Sequence, residues 1–433
     1  MREKSNRLVV NDTMKSFKGG SKMKNKRLTR GFVGGVITLV ITLLLILSIS
    51  MPATAAETKP IKFGSDCGYS GVCFMYCVSG LKGVRLAMEE INAAGGILGR
   101  PITLVTRDSE LKVSTGVREL KDLILRDKVD FILGDCSSGV CLAFLPVLQE
   151  YKKMMVNFIC NTEAITVEKH VPYAIQMVPN TYMEGRGQAR MRAKQPYKTY
   201  CYIGPDYDFG HREFQAFKEE MARLRPDVKI IKEFWPKLGE KDFTSYITAI
   251  LASGAEAVQS CHYGGDLVAF VKQAKPYGLF DKVAYASLFD VDVLAELGDE
   301  CPEGITAYCR APFFGEDTER MAQFVDSFRK TYGEYPSDWA VMGYDSMYMY
   351  KKVIEKAGTT DTAAVMKASE DIELDSLRGP ISVRAIDHMA SVPVYEGVTA
   401  KDPKYPFLTY KDLWRIPGQE VWRPEADIPK LRK

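Results

Sequence analysis

Directly after the apolar run "VDFIL" the chain reads "GDCSSGVCLAF", Gly134 to Phe144. Two adjacent hydroxyls stand between two thiols where a buried strand would end. Serine hydroxyls there can hold an anion, act as nucleophiles or cap a helix, and the thiols can pair, bind a metal or pack. Similar polar clusters follow other apolar runs. Cys67, Cys73 and Cys77 come after "IKFGS", Cys160, Asn161 and Thr162 after "MMVNFI", Tyr207 and Phe209 after "TYCYIG", and Cys261, His262 and Tyr263 after "EAVQS". Asp66, Asp135, Asp208, Asp266 and Asp290 also fall at or just beyond strand ends.

Catalysis has little support among these residues. Ser137 and Ser138 lack the G-x-S-x-G setting of a nucleophile elbow. The four histidines, His170, His211, His262 and His388, are scattered with no H-x-x-x-H spacing. No G-x-G-x-x-G follows the first strand, which disfavours a dinucleotide site. "DFG" at Asp208–Gly210 has no other kinase element around it. The reading is a non-enzyme with no cofactor.

The ten cysteines contain no CxxC, so neither a thioredoxin motif nor a zinc knuckle is indicated. Cys73 with Cys77, Cys136 with Cys141 and Cys301 with Cys309 are conceivable local disulfides, but sequence does not fix connectivity. Buried free thiols acting as small apolar residues are the plainer alternative, and thiolates binding a soft metal a third.

The elements that must position these clusters alternate with little interruption from Pro60 onward. "IKFGS", "ITLVT", "VDFILG", "MMVNFI" and "YAIQMV" read as strands. Between the first two lies "SGLKGVRLAMEEINAAGG", a helix with Leu81, Val84, Met88 and Ile91 on one stripe and Gly95-Gly96 as its stop. "STGVRELKDLILRD" follows as a helix capped by Ser114 or Thr115. A second block repeats the rhythm with strands "TYCYIG", "VKIIKEFW", "EAVQSC", "KVAYAS" and "GITAYC". Such alternation predicts an α/β protein of two doubly wound lobes, with ligands held beyond the carboxyl ends of the strands. Two long helices, "DTERMAQFVDSFRKTYGEYP" and "SDWAVMGYDSMYMYKKVIEKAG", then break the pattern, and the tail turns rich in proline and charge. No low-complexity linker separates the blocks, which favours several chain crossings between lobes.

The charge is uneven. Residues 1–30 carry ten Lys/Arg against Glu3 and Asp12, and residues 31–56 carry no charge. With a net charge of +3 for the chain, the remainder is mildly acidic at −5. The basic pI therefore belongs to the leader and does not indicate a nucleic-acid partner. "GFVGGVITLVITLLLILSIS" behind a basic segment and before "ATA" (Ala53–Ala55) reads as a secretory signal peptide over residues 1–56. An uncleaved anchor is the alternative, since about twenty apolar residues can span a bilayer. Met14 and Met23 are alternative starts. The body is expected in the periplasm or on the outer face of the cytoplasmic membrane.

Taken in order, "YSG…GLKGVRLAMEEINAAGGILGRPITL", "DKVDFILGDCSSGV", "TEAIT", "IGPDYDFG", "EKDFTSYITAI", "GGDLVAFVKQAKPYGL" and "WAVMGYDSMYMYKKVIEKAG" carry a resemblance. From about Ile61 to about Ala400 the chain resembles the periplasmic solute-binding proteins of ABC transporters. The type is the leucine/isoleucine/valine-binding one, with the type I bilobal periplasmic-binding fold. The resemblance implies lobe boundaries at 57–178 and 309–390 for the first lobe and 179–308 and 391–433 for the second. It implies a monomer that captures a small carboxylate- or amide-bearing solute and delivers it to membrane permease subunits. A ligand-sensing receptor on the same fold is the alternative, as is a binder of aromatic acids or amides.

The resemblance also implies a ligand site. Its carboxylate-binding serine falls on Ser138, with Ser137 beside it, and further polar contacts fall near Cys160, Asn161 and Thr162. Aromatic walls fall on Tyr76, Tyr207, Phe209 and Tyr263. Where amino-acid binders place an anion for the ligand's ammonium, Ala286 or Ser287 stands in this chain. Asp290, a few residues on, is the candidate replacement; otherwise the solute carries no ammonium.

Overall fold

Short apolar strands joined by amphipathic helices bury both faces of a sheet only when helices pack on each side. The computed structural model follows that rule and describes residues 59–432. The leader, its apolar run and the "ATA" site lie outside the described residues.

The first sheet is wholly parallel, in the order β2-β1-β3-β4-β5. Its strands are β1 (Ile61–Cys67), β2 (Ile102–Asp108), β3 (Phe131–Leu133), β4 (Met155–Asn157) and β5 (Ala174–Gln176). The last three are only three residues long and every residue in them is buried. The second sheet has seven strands in the order β14-β13-β10-β9-β8-β6-β7. It comprises β6 (Thr199–Ile203), β7 (Lys229–Phe234), β8 (Ala257–Ser260), β9 (Ala284–Leu288), β10 (Thr306–Cys309), β13 (Val394–Ala400) and β14 (Thr409–Ile416). β13 and β14 run antiparallel to their neighbours. A hairpin of β11 (Glu373–Ser376) and β12 (Gly379–Ser382) stands apart. The chain crosses between the two sheets after β5, after β10 and before β13.

The helices that matter for the site are α1 (Phe74–Ala93), α2 (Val113–Leu125), α3 (Ser138–Tyr151), α4 (Thr181–Arg192) and α5 (Asp208–Leu224). They continue with α6 (Thr244–Leu251), α7 (Gly264–Ala274), α8 (Val291–Leu297), α9 (Glu319–Tyr332) and α10 (Asp338–Ala357). α1 ends where expected, with Gly95 and Gly96 at φ +100° and +80°. The cap of α2 is a correction: Lys112 holds that position without a side-chain bond, and Ser114 and Thr115 lie inside the first turn.

α10 comes late in the chain but belongs to the first lobe. It lies against α1 so closely that a Cβ on Gly83 would sit 1.9 Å from the Ala340 carbonyl oxygen, and one on Gly343 would sit 2.3 Å from that of Gly80. Only glycine permits this approach. Tyr350 of α10, fully buried, donates its hydroxyl to Ile132 O at 2.6 Å and accepts Val156 N–H at 2.9 Å. It thereby ties the helix to β3 and β4. Gly71–Ala93 is long and apolar enough to cross a membrane, but 56% of its most apolar window is buried, as in a core helix. The tail is structured too. Arg423 pairs bidentately with Glu163, and Arg432 donates to Thr166 O and Ile386 O.

The local disulfides considered above are corrected by the geometry. Cys77 is bridged to Cys67, across ten residues rather than to Cys73. Cys136, Cys141, Cys301 and Cys309 are all unbridged. The loop after β1 turns back on itself through the short 3₁₀ segment Gly71–Cys73, which carries Cys77 under the end of the strand.

Candidate functional site

The carboxyl ends of the strands in the two sheets face a common small cavity. Its lining is Tyr76, Cys136, Ser138, Ile159, Asn161, Tyr207, Phe209, Tyr263, Arg310 and Trp339. The cavity measures ≈ 20 Å³, about the room of a single water. Anything larger enters only when the walls separate.

The walls are built from strand-ending turns. Tyr76 sits in the first turn of α1, and its ring lies 4.6 Å from that of Trp339 and 6.0 Å from that of Tyr263. Its hydroxyl accepts the N–H of Gly264 at 2.6 Å, so a first-lobe side chain meets the start of α7 in the second lobe. Burial, and then the neighbouring Asp290, hold the Tyr76 phenol well above its ordinary pKa. On the facing wall the hydroxyls of Tyr207 and Tyr263 are 2.8 Å apart, and Phe209 meets Tyr263 edge-on at 5.4 Å.

Ser138 is the first residue of α3 and is buried against the cavity. Ser137 occupies the cap position, yet its side chain makes no capping bond. The first amides of α3 thus have no partner from their own helix or its cap. The Ser137 N–H instead donates to Asp135 Oδ1 at 2.6 Å, and Ser109 donates to the other Asp135 oxygen at 2.5 Å. Burial raises the Asp135 carboxyl to about 7.

Six of the ten expected residues therefore line the cavity: Tyr76, Ser138, Asn161, Tyr207, Phe209 and Tyr263. Four do not. Ser137 holds the cap position of α3 and is not among the lining residues. Cys160 lies behind Ser138, its sulfur 4.0 Å from the hydroxyl oxygen. Thr162 is fully buried, and its Oγ1 accepts Ala164 N–H at 3.3 Å to start a 3₁₀ turn. Asp290 caps α8, with Oδ1 accepting Val293 N–H at 3.0 Å. Burial and then Asp338 push the Asp290 carboxyl up to about 7. Ser287, in the slot where an anion was sought, donates to Ser260 and to His262 O inside the second sheet.

Sequence reasoning missed Arg310 and Trp339. Arg310 directly follows β10, so a cation immediately after "TAYC" was the available signal. Its guanidinium is 2% exposed and grips Glu184 of α4 at 2.5 Å and 3.0 Å through Nε and Nη2. It also lies over the Trp339 ring at 4.9 Å. No hydrogen bond engages its Nη1 among the described residues. Glu184 accepts a further bond from Asn161 at 3.1 Å. Nearby Glu213, raised well above its usual range by burial and then by Glu184, accepts bonds from Gln188 and Tyr308 at Oε1.

Chemically, the cavity offers aromatic faces, one guanidinium edge, and a hydroxyl and amides at a helix start. Among the described residues, no group of three or more His, Cys, Asp or Glu is arranged to hold a metal.

Comparison with known proteins agrees with this architecture. A family model described as periplasmic binding protein matches residues 60–400. "Leu/Ile/Val-binding protein homolog 7" of Brucella abortus (strain 2308) is 24% identical over 353 residues, covering 76% of this chain and 87% of its own. The crystal structure of an ABC transporter solute-binding protein from R. palustris, in complex with benzoate, superposes with a TM-score of 0.73 at 20% identity. It covers 82% of this chain and 96% of that one. An ABC-type branched-chain amino acid transporter from Rhodopseudomonas palustris CGA009 gives a TM-score of 0.71 at 21% identity, over 86% and 100% of the two chains.

Proposed function

The chain belongs to the periplasmic binding protein family, and from that premise we propose that its cleft captures a small aromatic carboxylate for an ABC importer. The observation that carries this reading is the make-up of the cavity wall. Five aromatic rings and Arg310 surround it, with no carboxylate among the lining residues to meet an ammonium. An α-amino acid would bring a buried cation without a partner, which is costly. A benzoate-like solute brings only a ring and an anion.

Arg310 supports the anion from the second lobe through Nη1, and the start of α3 supports it from the first through Ser138 and free amides. Charge-assisted hydrogen bonds contribute about 1.5–3 kcal/mol each, and a micromolar ligand needs roughly 8 kcal/mol net. A few such bonds with aromatic burial are sufficient. Because the solute touches both lobes only when they shut, binding shifts the hinge equilibrium toward the closed form that a permease would recognise. The lobe boundaries 57–178, 179–308, 309–390 and 391–433, the monomeric state, export by the leader and the absence of enzymatic activity are part of this proposal. The division of strands between the two sheets supports the boundaries.

A second reading, capture of a branched-chain amino acid, keeps one specific support: Asp290 lies beside the Tyr76 hydroxyl, one side chain behind the cavity. A thermal-shift comparison separates the two. Benzoate and 4-hydroxybenzoate are expected to raise the melting temperature, because a ligand at 100 times its Kd adds about 2.7 kcal/mol. A shift with leucine, isoleucine or valine and none with the benzoates would reverse the assignment.

A further inference from the structure

We propose that Cys73 and Cys136 are a redox-active pair that closes to a second disulfide and staples together the two first-lobe walls of the cavity. Their sulfur atoms are 2.7 Å apart although the residues are 63 positions apart in the chain. The contact follows from topology. β1 and β3 are hydrogen-bonded neighbours, so the loops that leave them lie side by side. Cys73 occupies the cap position of α1, three residues before Tyr76. Cys136 lies in the turn before α3, two residues before Ser138, and is part of the cavity lining.

The other nearby thiols are engaged elsewhere. Cys141 donates to Asp135 O at 3.2 Å, and Cys160 points to Ser138. The Cys67–Cys77 bridge already brackets Cys73, so the segment sits in an oxidised setting. With no metal-holding group among the described residues, sulfur–sulfur bonding is the chemistry this pair supports. The Cys73 contact, and then burial, hold the Cys136 thiol up. Exchange therefore proceeds when the cleft opens and Cys136 is wetted.

The reaction is thiol–disulfide exchange with glutathione disulfide or an oxidised dithiol protein. Cys136 thiolate attacks the oxidant's disulfide and releases one reduced thiol. Cys73 then displaces the second, leaving one new S–S bond and two reduced thiols in the oxidant.

Trypsin separates the two cysteines, placing Cys73 in fragment 63–82 and Cys136 in fragment 129–152. After incubation of the whole protein with glutathione disulfide, alkylation and non-reducing digestion, the two fragments are expected as one linked mass that dithiothreitol splits. The link should survive Cys141→Ser and vanish in Cys136→Ser. Separate fragments in the oxidised wild-type protein would overturn the proposal. So would a link that persists in Cys136→Ser. If a variant does not fold, tandem mass spectrometry of the linked wild-type fragments assigns the bridge, and a pairing other than Cys73 with Cys136 would overturn the proposal.

Discussion

Tyr76 of α1 and Gly264 of α7 share a 2.6 Å hydrogen bond in which a phenol of the first lobe accepts the leading amide of a helix in the second. Under the proposed closure this bond is made as the lobes shut, so it would belong to the energy difference between open and closed forms. Tyr76→Phe keeps the ring against Trp339 and removes the acceptor. A neutral hydrogen bond is worth about 0.5–1.5 kcal/mol, so calorimetry with the bound solute should show affinity lower by roughly 3- to 10-fold. Unchanged circular dichroism would place the loss in closure and not in folding.

Ser138 tests the other end of the cavity. Ser138→Val removes a donor and adds apolar bulk at the start of α3. Binding of an aromatic carboxylate should fall at least tenfold in a fluorescence titration, while the melting temperature of the solute-free protein changes little. Unaltered affinity would remove the start of α3 from the site.

Arg310→Lys retains the charge but loses the planar fork that holds Glu184 and stacks on Trp339. Affinity for a benzoate should drop by more than tenfold. Arg310→Met alone would strand Glu184 as a buried charge, so the cleaner companion is the double change Arg310→Met with Glu184→Gln. Persistent tight binding in that double variant would show that the guanidinium does not hold the solute.

Asp66 gives a pH prediction. Burial, and then Asp135, raise its carboxyl from 3.8 to about 9, and both of its oxygens lack a partner among the described residues. The folded state thus keeps a proton that the unfolded chain has released above its ordinary pKa. The resulting stability is complete below about pH 4 and is lost as pH rises toward 9. Urea unfolding should show the wild type weakening between pH 6 and pH 8.5, and Asp66→Asn should flatten that decline. Parallel slopes for the two proteins would contradict it.

Gly83→Ala probes the packing of α1 on α10. The added carbon meets backbone at Ala340, which cannot swing aside. Overpacking of this kind typically costs about 1–3 kcal/mol, readable as a lower urea midpoint. An unchanged midpoint would mean that the two helices separate without loss.

Much of this was legible before any coordinates. Period-two and helical patterns located the parallel strands, because buried strands such as "VDFIL" carry an unbroken apolar signal. β14 was harder to see. "TYKDLWRI" is an edge strand in which Lys411 and Asp412 are exposed, so it reads as polar tail. β11, "ELDS", was missed for the same reason. In the site, the polar turn after "VDFIL" stood out at a strand end, whereas Ser138 and the four aromatics were placed by the family resemblance. Arg310 was overlooked because the expected charge in the second lobe was an anion near Ala286 and Ser287, one strand earlier. The Cys67–Cys77 bridge escaped because its geometry depends on a 3₁₀ turn that spacing does not reveal.

Tyr344 of α10 donates to Glu90 of α1 at 2.5 Å across 254 positions of sequence. The first lobe's leading helix therefore waits for a partner synthesised more than half a chain later. Neither half can finish early, and such distant pairing slows collapse. If the proposed leader directs export, a chain that stays unfinished for most of its synthesis is one that a narrow translocation pore can still thread.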